Sequence, residues 1–164
     1  MTNSKAPNQK LIVVNARKPQ EKYWKDFIPE GKYVLSPTVG GGYFFARYIA
    51  DVITKVIQYD MDGVNMGEIE LPGLGTASGW SGKKDQEVLY FSFTNYHSPS
   101  QIYSYNPKTK TSIKYWEPRI DFDSNDYKSE QIFYKSEDGT KIPMIITYKK
   151  LSLIHISEPT RLAT

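Results

Sequence analysis

The stretch KVIQYDMDG at 55–63 decides the fold, because it recurs twice in the same chain. KLIVVNARK begins at Lys10 and QIYSYNPKT at Gln101, so the three copies stand 45 and 46 residues apart. Leu11, Val56 and Ile102 occupy one position of the repeat, and Val14, Tyr59 and Tyr105 another. Asn15, Asp60 and Asn106 then close each copy, followed by turn-type residues. Each copy reads as a short strand ending in a residue whose side chain bonds backbone at a turn. A second correspondence, YFFARY from Tyr43 and LYFSFT from Leu89, has the same offset of 46 residues. A period in the forties built from strands, without amphipathic helical stripes, predicts the blades of a β-propeller.

Working outward, the middle unit predicts strands near 32–39, 43–50, 53–60 and 64–71, with turns at VGGG (39–42) and MDG (61–63). The next unit predicts strands near 76–81, 87–94, 101–106 and 112–116, reached through the LPGLG crossing at 71–75. Only the end of an earlier unit, near 10–16, is expected before them. After Trp116 the polar, acidic stretch EPRIDFDSNDYKSE reads as a linker. Two apolar strands follow, 130–136 and 141–149, around an Asp138-Gly139 hairpin turn. They form a new kind of unit, not another blade.

Composition agrees with sheets. Aromatic residues make up 14% of the 164 residues, with 13 Tyr and 7 Phe, and such side chains suit half-buried pleated surfaces. The net charge of +3 is spread along the chain. Its densest basic group, Lys10, Arg17, Lys18, Lys22 and Lys25, is diluted by Glu21 and Asp26 and reads as solvated surface, so no nucleic-acid partner is expected. The lack of cysteine excludes disulfides, thiolate metal sites and cysteine nucleophiles. No apolar run approaches the ~18 residues of a membrane span, and the N-terminus has no signal-peptide core, so no membrane partner is expected.

Four stretches imitate functional motifs. GWSGK at 79–83 is a near miss to a G-x-S-x-G nucleophile elbow, but Lys83 holds the last position and a strand follows where the elbow needs a helix. His97 beside Ser98 reads as a solvated loop histidine, since adjacent side chains rarely align for activation. DFDSNDYKSEQI from Asp121 places Asp121, Asp123 and Asn125 like calcium ligands, but Asp126 replaces the turn glycine and Ile132 the bidentate glutamate. VGGG lacks the Lys-Ser/Thr of a phosphate loop and reads as a hairpin turn. Catalytic, cofactor-binding and metal-binding residues are therefore all expected to be none, and no cofactor is implied.

SEQIFYKSEDGTKIPMIITYKK at 129–150 resembles the junction of prolyl oligopeptidases, where the chain leaves the propeller for the α/β-hydrolase domain. TNSKAPNQKL, LPGLGTASGW and YFSFTNYHSPSQIYSY resemble the last blades of the same family, so the likeness runs over about residues 2–150. The resemblance implies an all-β fragment: about two complete four-stranded antiparallel blades plus a remnant, then the first hairpin of an α/β-hydrolase domain. It divides the chain into the C-terminal part of a propeller at 1–126, the start of the peptidase domain at 127–150, and a tail at 151–164. It also implies a serine endopeptidase that cleaves short peptides after proline, with the propeller gating access. The parent is expected to be monomeric, in the cytoplasm or the periplasm. No residue here matches the family's catalytic Ser, Asp or His, so this fragment is expected to be inactive alone. The tail segment LSLIHISEPTR looks like the in-frame translation of a sequencing-library adapter, which makes His155 an accident of reading frame. A non-catalytic propeller serving as an interaction module is the alternative, and the junction hairpin weighs against it. A propeller sugar lyase would need a metal or an acid–base cluster that the sequence does not supply.

Overall fold

The computed structural model describes residues 1–150, which form antiparallel sheets joined by short turns, with no α-helix among the described residues. β1 (Leu11–Val13) pairs with β2 (Lys25–Ile28) in a two-stranded sheet. β3 (Ser36–Gly40), β4 (Tyr43–Ala50), β5 (Ile53–Tyr59) and β6 (Asn65–Glu68) form a four-stranded meander, each strand bonded to the next. β7 (Thr76–Gly79), β8 (Leu89–Asn95), β9 (Ser98–Asn106) and β10 (Thr111–Trp116) repeat it. β11 (Tyr127–Lys135) and β12 (Lys141–Lys149) form a separate two-stranded ribbon, paired in unbroken register from Tyr127↔Lys149 to Lys135↔Lys141. The two meanders are the blades that the repeat predicts, and 32–117 contains no helix of any kind.

The repeat's closing residues build its turns as their chemistry dictates. The Asp60 carboxylate accepts the backbone N–H groups of Asp62 and Val64 at 2.9 and 2.8 Å. Asn106 accepts those of Lys108 and Thr109 at 2.9 and 3.2 Å, and Asn15 that of Arg17 at 2.9 Å. A short side-chain oxygen satisfies donors that the ladder leaves behind, which is why an Asx residue recurs at the strand end.

Alternation along each strand divides the blade faces. Phe45 and Val56 of the first blade pack with Ala77, Leu89, Phe91, Phe93, Tyr103 and Tyr105 of the second, and with Trp80, all close to fully buried. Trp80 stacks on Phe91 with ring centroids 4.5 Å apart, and Phe91 on Tyr103 at 5.3 Å. Each such side chain contributes about 1.5–3 kcal/mol of transfer free energy on full burial, so this seam is the main adhesion between the blades. The opposite face of the first blade, with Phe44, Ala46, Tyr48, Ile57 and Tyr59, packs on Leu11, Phe27, Ile28 and Leu35. The outer face of the second blade is uncovered: Tyr90, Ile113, Tyr115 and Trp116 are exposed, Ile113 to 68%.

The N-terminal sheet departs from the sequence reading. From the sequence only a strand end near 10–16 is expected, with the charged group Lys10, Arg17, Lys18, Lys22 and Lys25 as solvated surface. The structure instead gives β1 a partner, KDFI, which buries Ile28 fully and Phe27 partly while Lys25 and Asp26 stay in water. Lys10 of the basic group pairs with Asp26 at 2.9 Å, so the charges are a surface network around a real strand.

Candidate functional site

The four motif-like stretches resolve into structural roles. In GWSGK, β7 runs through Gly79 into Trp80, whose φ is +62°, and the chain then turns to β8 with no helix between. Trp80 is buried in the seam and Ser81 is exposed. The following backbone is tied to the first blade: Gly82 N–H donates to the Val39 carbonyl at 3.1 Å, and Gly41 N–H to the Lys83 carbonyl at 2.9 Å. The glycines of VGGG permit this approach, since a Cβ on Gly40 would stand 2.4 Å from the Trp80 carbonyl oxygen. Gly41 and Gly42, with φ of +59° and +79°, make the two-residue turn between β3 and β4. In the calcium-like stretch, Asp123 caps a single 3-10 turn, Ser124–Asp126, by accepting the Asn125 N–H at 2.9 Å. Asp121, Asp123 and Asn125 border an open cleft of about 480 Å³ that also meets Lys114, Glu117 and Arg119.

A buried polar pair crosses the blade seam. The Tyr105 hydroxyl donates to Gln58 Oε1 at 2.6 Å, and Gln58 Nε2 donates to the Pro107 carbonyl at 2.9 Å. Burial holds the Tyr105 hydroxyl well above the usual phenol range, so it stays a donor. Gln58 is fully buried, and this bond gives its amide the partners that burial requires.

His97 is where the structure corrects the sequence reading. It is not a freely solvated loop residue: the ring is half-buried, and Nδ1 lies 2.9 Å from the Ser129 hydroxyl on β11. Ser129 in turn bonds the Thr147 hydroxyl across the ribbon at 2.8 Å. Asn95 Oδ1 accepts the His97 backbone N–H at 3.1 Å, which directs the Asn95 NH2 at Nε2, 3.4 Å away. The arrangement lacks the carboxylate that orients a catalytic histidine, and the serine hydroxyl is shared with Thr147, so it works as a joint rather than a nucleophile pair. No local signal marks it, because Ser129 lies 32 residues further along the chain.

The joint has a second arm. The equivalent tight turn of the first blade, Asp51-Val52 between β4 and β5, offers its Asp51 carbonyl to the Gln131 side-chain amide. Both turn residues have positive φ, +50° and +69°, and Asp51 also accepts the Tyr33 hydroxyl at 2.8 Å. Ser129 and Gln131 stand two apart on β11 and share a face. One strand thus ties the matching ends of both blades. The tail at 151–164, with His155, lies outside the described residues.

Residues 1–118 match the family described as "Prolyl oligopeptidase, N-terminal beta-propeller domain". The chain is 48% identical over 149 residues to a prolyl endopeptidase of Elizabethkingia meningoseptica, covering 91% of this chain and 21% of that protein. A structure from a study of inter-domain dynamics in two prolyl endopeptidases superposes with a TM-score of 0.79 and 32% identity, over 90% of this chain and 22% of its own. Prolyl oligopeptidase B from Galerina marginata, bound to a 25mer macrocyclization substrate, gives 0.75 and 29%, over 91% and 21%. This chain therefore spans about a fifth of the length of the curated relatives it matches. With most of its residues matched by the family's propeller and its fold shared with solved members, the chain belongs to the prolyl oligopeptidase family.

Proposed function

We propose that the chain is part of a serine endopeptidase that cleaves short peptides on the C-terminal side of proline. In this reading, 1–126 completes a propeller that gates access to the active site. Residues 127–150 are then the first hairpin of the α/β-hydrolase domain, where the catalytic Ser, Asp and His would follow. The observation that carries the reading is the order of units: two complete blades, then a ribbon of a different kind, in a chain related over 91% of its length to a prolyl endopeptidase. The uncovered apolar face of the second blade supports it too, since Tyr90, Ile113 and Tyr115 suit a further blade of a closed ring. Substrates would be proline-containing peptides, as the peptide-bound relative suggests by analogy. The parent would act as a monomer, in the cytoplasm or periplasm, without a cofactor.

The test is to read the coding sequence onward from Lys150. A G-x-S-x-G elbow between a strand and a helix, followed in order by an acidic residue and a histidine, supports the proposal. A continuous frame of further blades with no such elbow contradicts it and favours the interaction module.

A further inference from the structure

Two Asp-Gly steps, Asp62-Gly63 and Asp138-Gly139, occupy hairpin loops of one design. Each loop has three residues: the Asp60 N–H donates to the Val64 carbonyl at 3.1 Å, and the Ser136 N–H to the Thr140 carbonyl at 3.0 Å. The glycine has positive φ in both, +85° and +82°. Its N–H donates back to the residue that opens the loop, at 3.2 Å to Asp60 and 2.9 Å to Ser136. Both aspartates are exposed, so access to water does not separate them. The opening residue does. In the ribbon it is Ser136, which leaves the Thr140 N–H to Asp138: Oδ1 accepts that N–H at 2.9 Å and the Ser136 hydroxyl as well. In the blade it is Asp60, whose own carboxylate takes the matching Val64 N–H at 2.8 Å. Asp62 finds that donor occupied, and among the described residues no cation pairs with its carboxylate. We propose that Asp62 is a site of spontaneous isomerisation to isoaspartate, and that Asp138 is protected from the same reaction by its place in the turn's hydrogen bonds. This goes beyond the peptidase reading and rests only on the geometry of the two loops.

The step needs only water. The Gly63 amide nitrogen attacks the side-chain carboxyl carbon of Asp62, forming a C–N bond. The hydroxyl of the protonated carboxyl leaves as water, taking the amide proton with it, and a five-membered imide closes. Water then adds to the imide carbonyl that came from the Asp62 main chain and breaks its bond to nitrogen, which regains a proton. Asp62 is left joined to Gly63 through its former side chain; one water is released, one is consumed, and nothing is oxidised. Glycine leaves the nitrogen open to approach, because it has no Cβ. An untethered carboxyl reaches that nitrogen by rotation among its staggered wells. Asp138 must first give up charge-assisted hydrogen bonds. The Ser136 hydroxyl, then the Thr140 N–H, also hold its carboxyl down to about 2, which keeps the water-losing protonated form scarce. The product matters to the blade, since Gly63 packs on Phe27 so closely that a Cβ there would stand 3.2 Å from the ring. An extra backbone carbon in this loop displaces it from that contact.

The experiment ages the 164-residue chain at pH 6 and physiological temperature, then digests it with trypsin. Peptides 56–83 and 136–141 carry the two steps separately. Isoaspartate is read as a new chromatographic peak of unchanged mass that accepts a methyl group from isoaspartyl methyltransferase. The expected result is accumulation at Asp62 roughly tenfold faster than at Asp138, the weight of a hydrogen bond to a charged group. Exchanging the opening residues should exchange the rates. Asp60→Ser frees the Val64 N–H for Asp62 and should slow isomerisation there to the Asp138 level. Ser136→Asp should take the Thr140 N–H from Asp138 and speed isomerisation there by the same factor. Equal rates at the two sites in the wild-type chain, or no isoaspartate at Asp62, overturn the proposal. So does a Ser136→Asp chain whose Asp138 isomerises no faster, and this change in an exposed ribbon turn decides the matter if Asp60→Ser does not fold.

Discussion

Replacing Tyr105 by phenylalanine tests how far the blade seam depends on the buried Tyr105–Gln58 pair. The substitution keeps the ring, and with it the packing on Phe45 at 6.0 Å, but removes the donor that reaches Gln58 Oε1 at 2.6 Å. Gln58 is wholly buried, so its carbonyl oxygen is left without a partner, a loss of about 1–3 kcal/mol. Gln58→Leu should cost more, because it strands both the Tyr105 hydroxyl and the Pro107 carbonyl. The double variant should then cost less than the two single losses together, since only the Pro107 carbonyl remains unpaired. Urea unfolding followed by far-UV circular dichroism measures all three in the 164-residue chain. A Tyr105→Phe chain within about 0.5 kcal/mol of wild type would refute the reasoning, because that is the spread of neutral surface changes.

Three further outcomes follow from the same contacts. Burial, with Tyr59 adding to it, pushes the Tyr48 hydroxyl up to about 12 from 10.0, so its stabilising effect is present below pH 10 and is lost as pH climbs toward 12. An alkaline unfolding titration should show that window, and Tyr48→Phe should flatten it. The Ser136 hydroxyl, then the Thr140 N–H, hold the Asp138 carboxyl down to about 2 from 3.8, so the hairpin turn should loosen only as pH falls through that range. Amide exchange at 136–140 checks this, and Asp138→Ala should remove the dependence. The uncovered face of the second blade should drive self-association, and Ile113→Lys with Tyr115→Glu should shift the chain toward monomer in size-exclusion chromatography.

The strands were legible in the sequence because repetition and alternation are local. The offset of Tyr43 from Leu89 and of Val56 from Ile102 placed both blades within a few residues, and the Asx positions located the turns. β2 was not legible, since only Ile28 of KDFI is turned fully inward and the strand opens on two charged residues, Lys25 and Asp26. The joint was not legible for a different reason. His97, Ser129, Asp51 and Gln131 come from different blades and from the ribbon, and their meeting is a product of how whole sheets are arranged. The near-miss elbow and the calcium-like stretch were legible as near misses from the residues at their key positions, and the structure uses Trp80 for packing and Asp123 for capping.

The most direct test of the account is hydrolysis of a chromogenic Gly-Pro amide by two purified proteins, the 164-residue chain and the product of the complete coding region. The account predicts cleavage after proline by the complete product and no turnover above buffer by the chain, because a serine peptidase needs its nucleophile, base and orienting carboxylate together. Turnover by the 164-residue chain that disappears with His97→Ala, or a complete product that leaves prolyl amides intact, would contradict it.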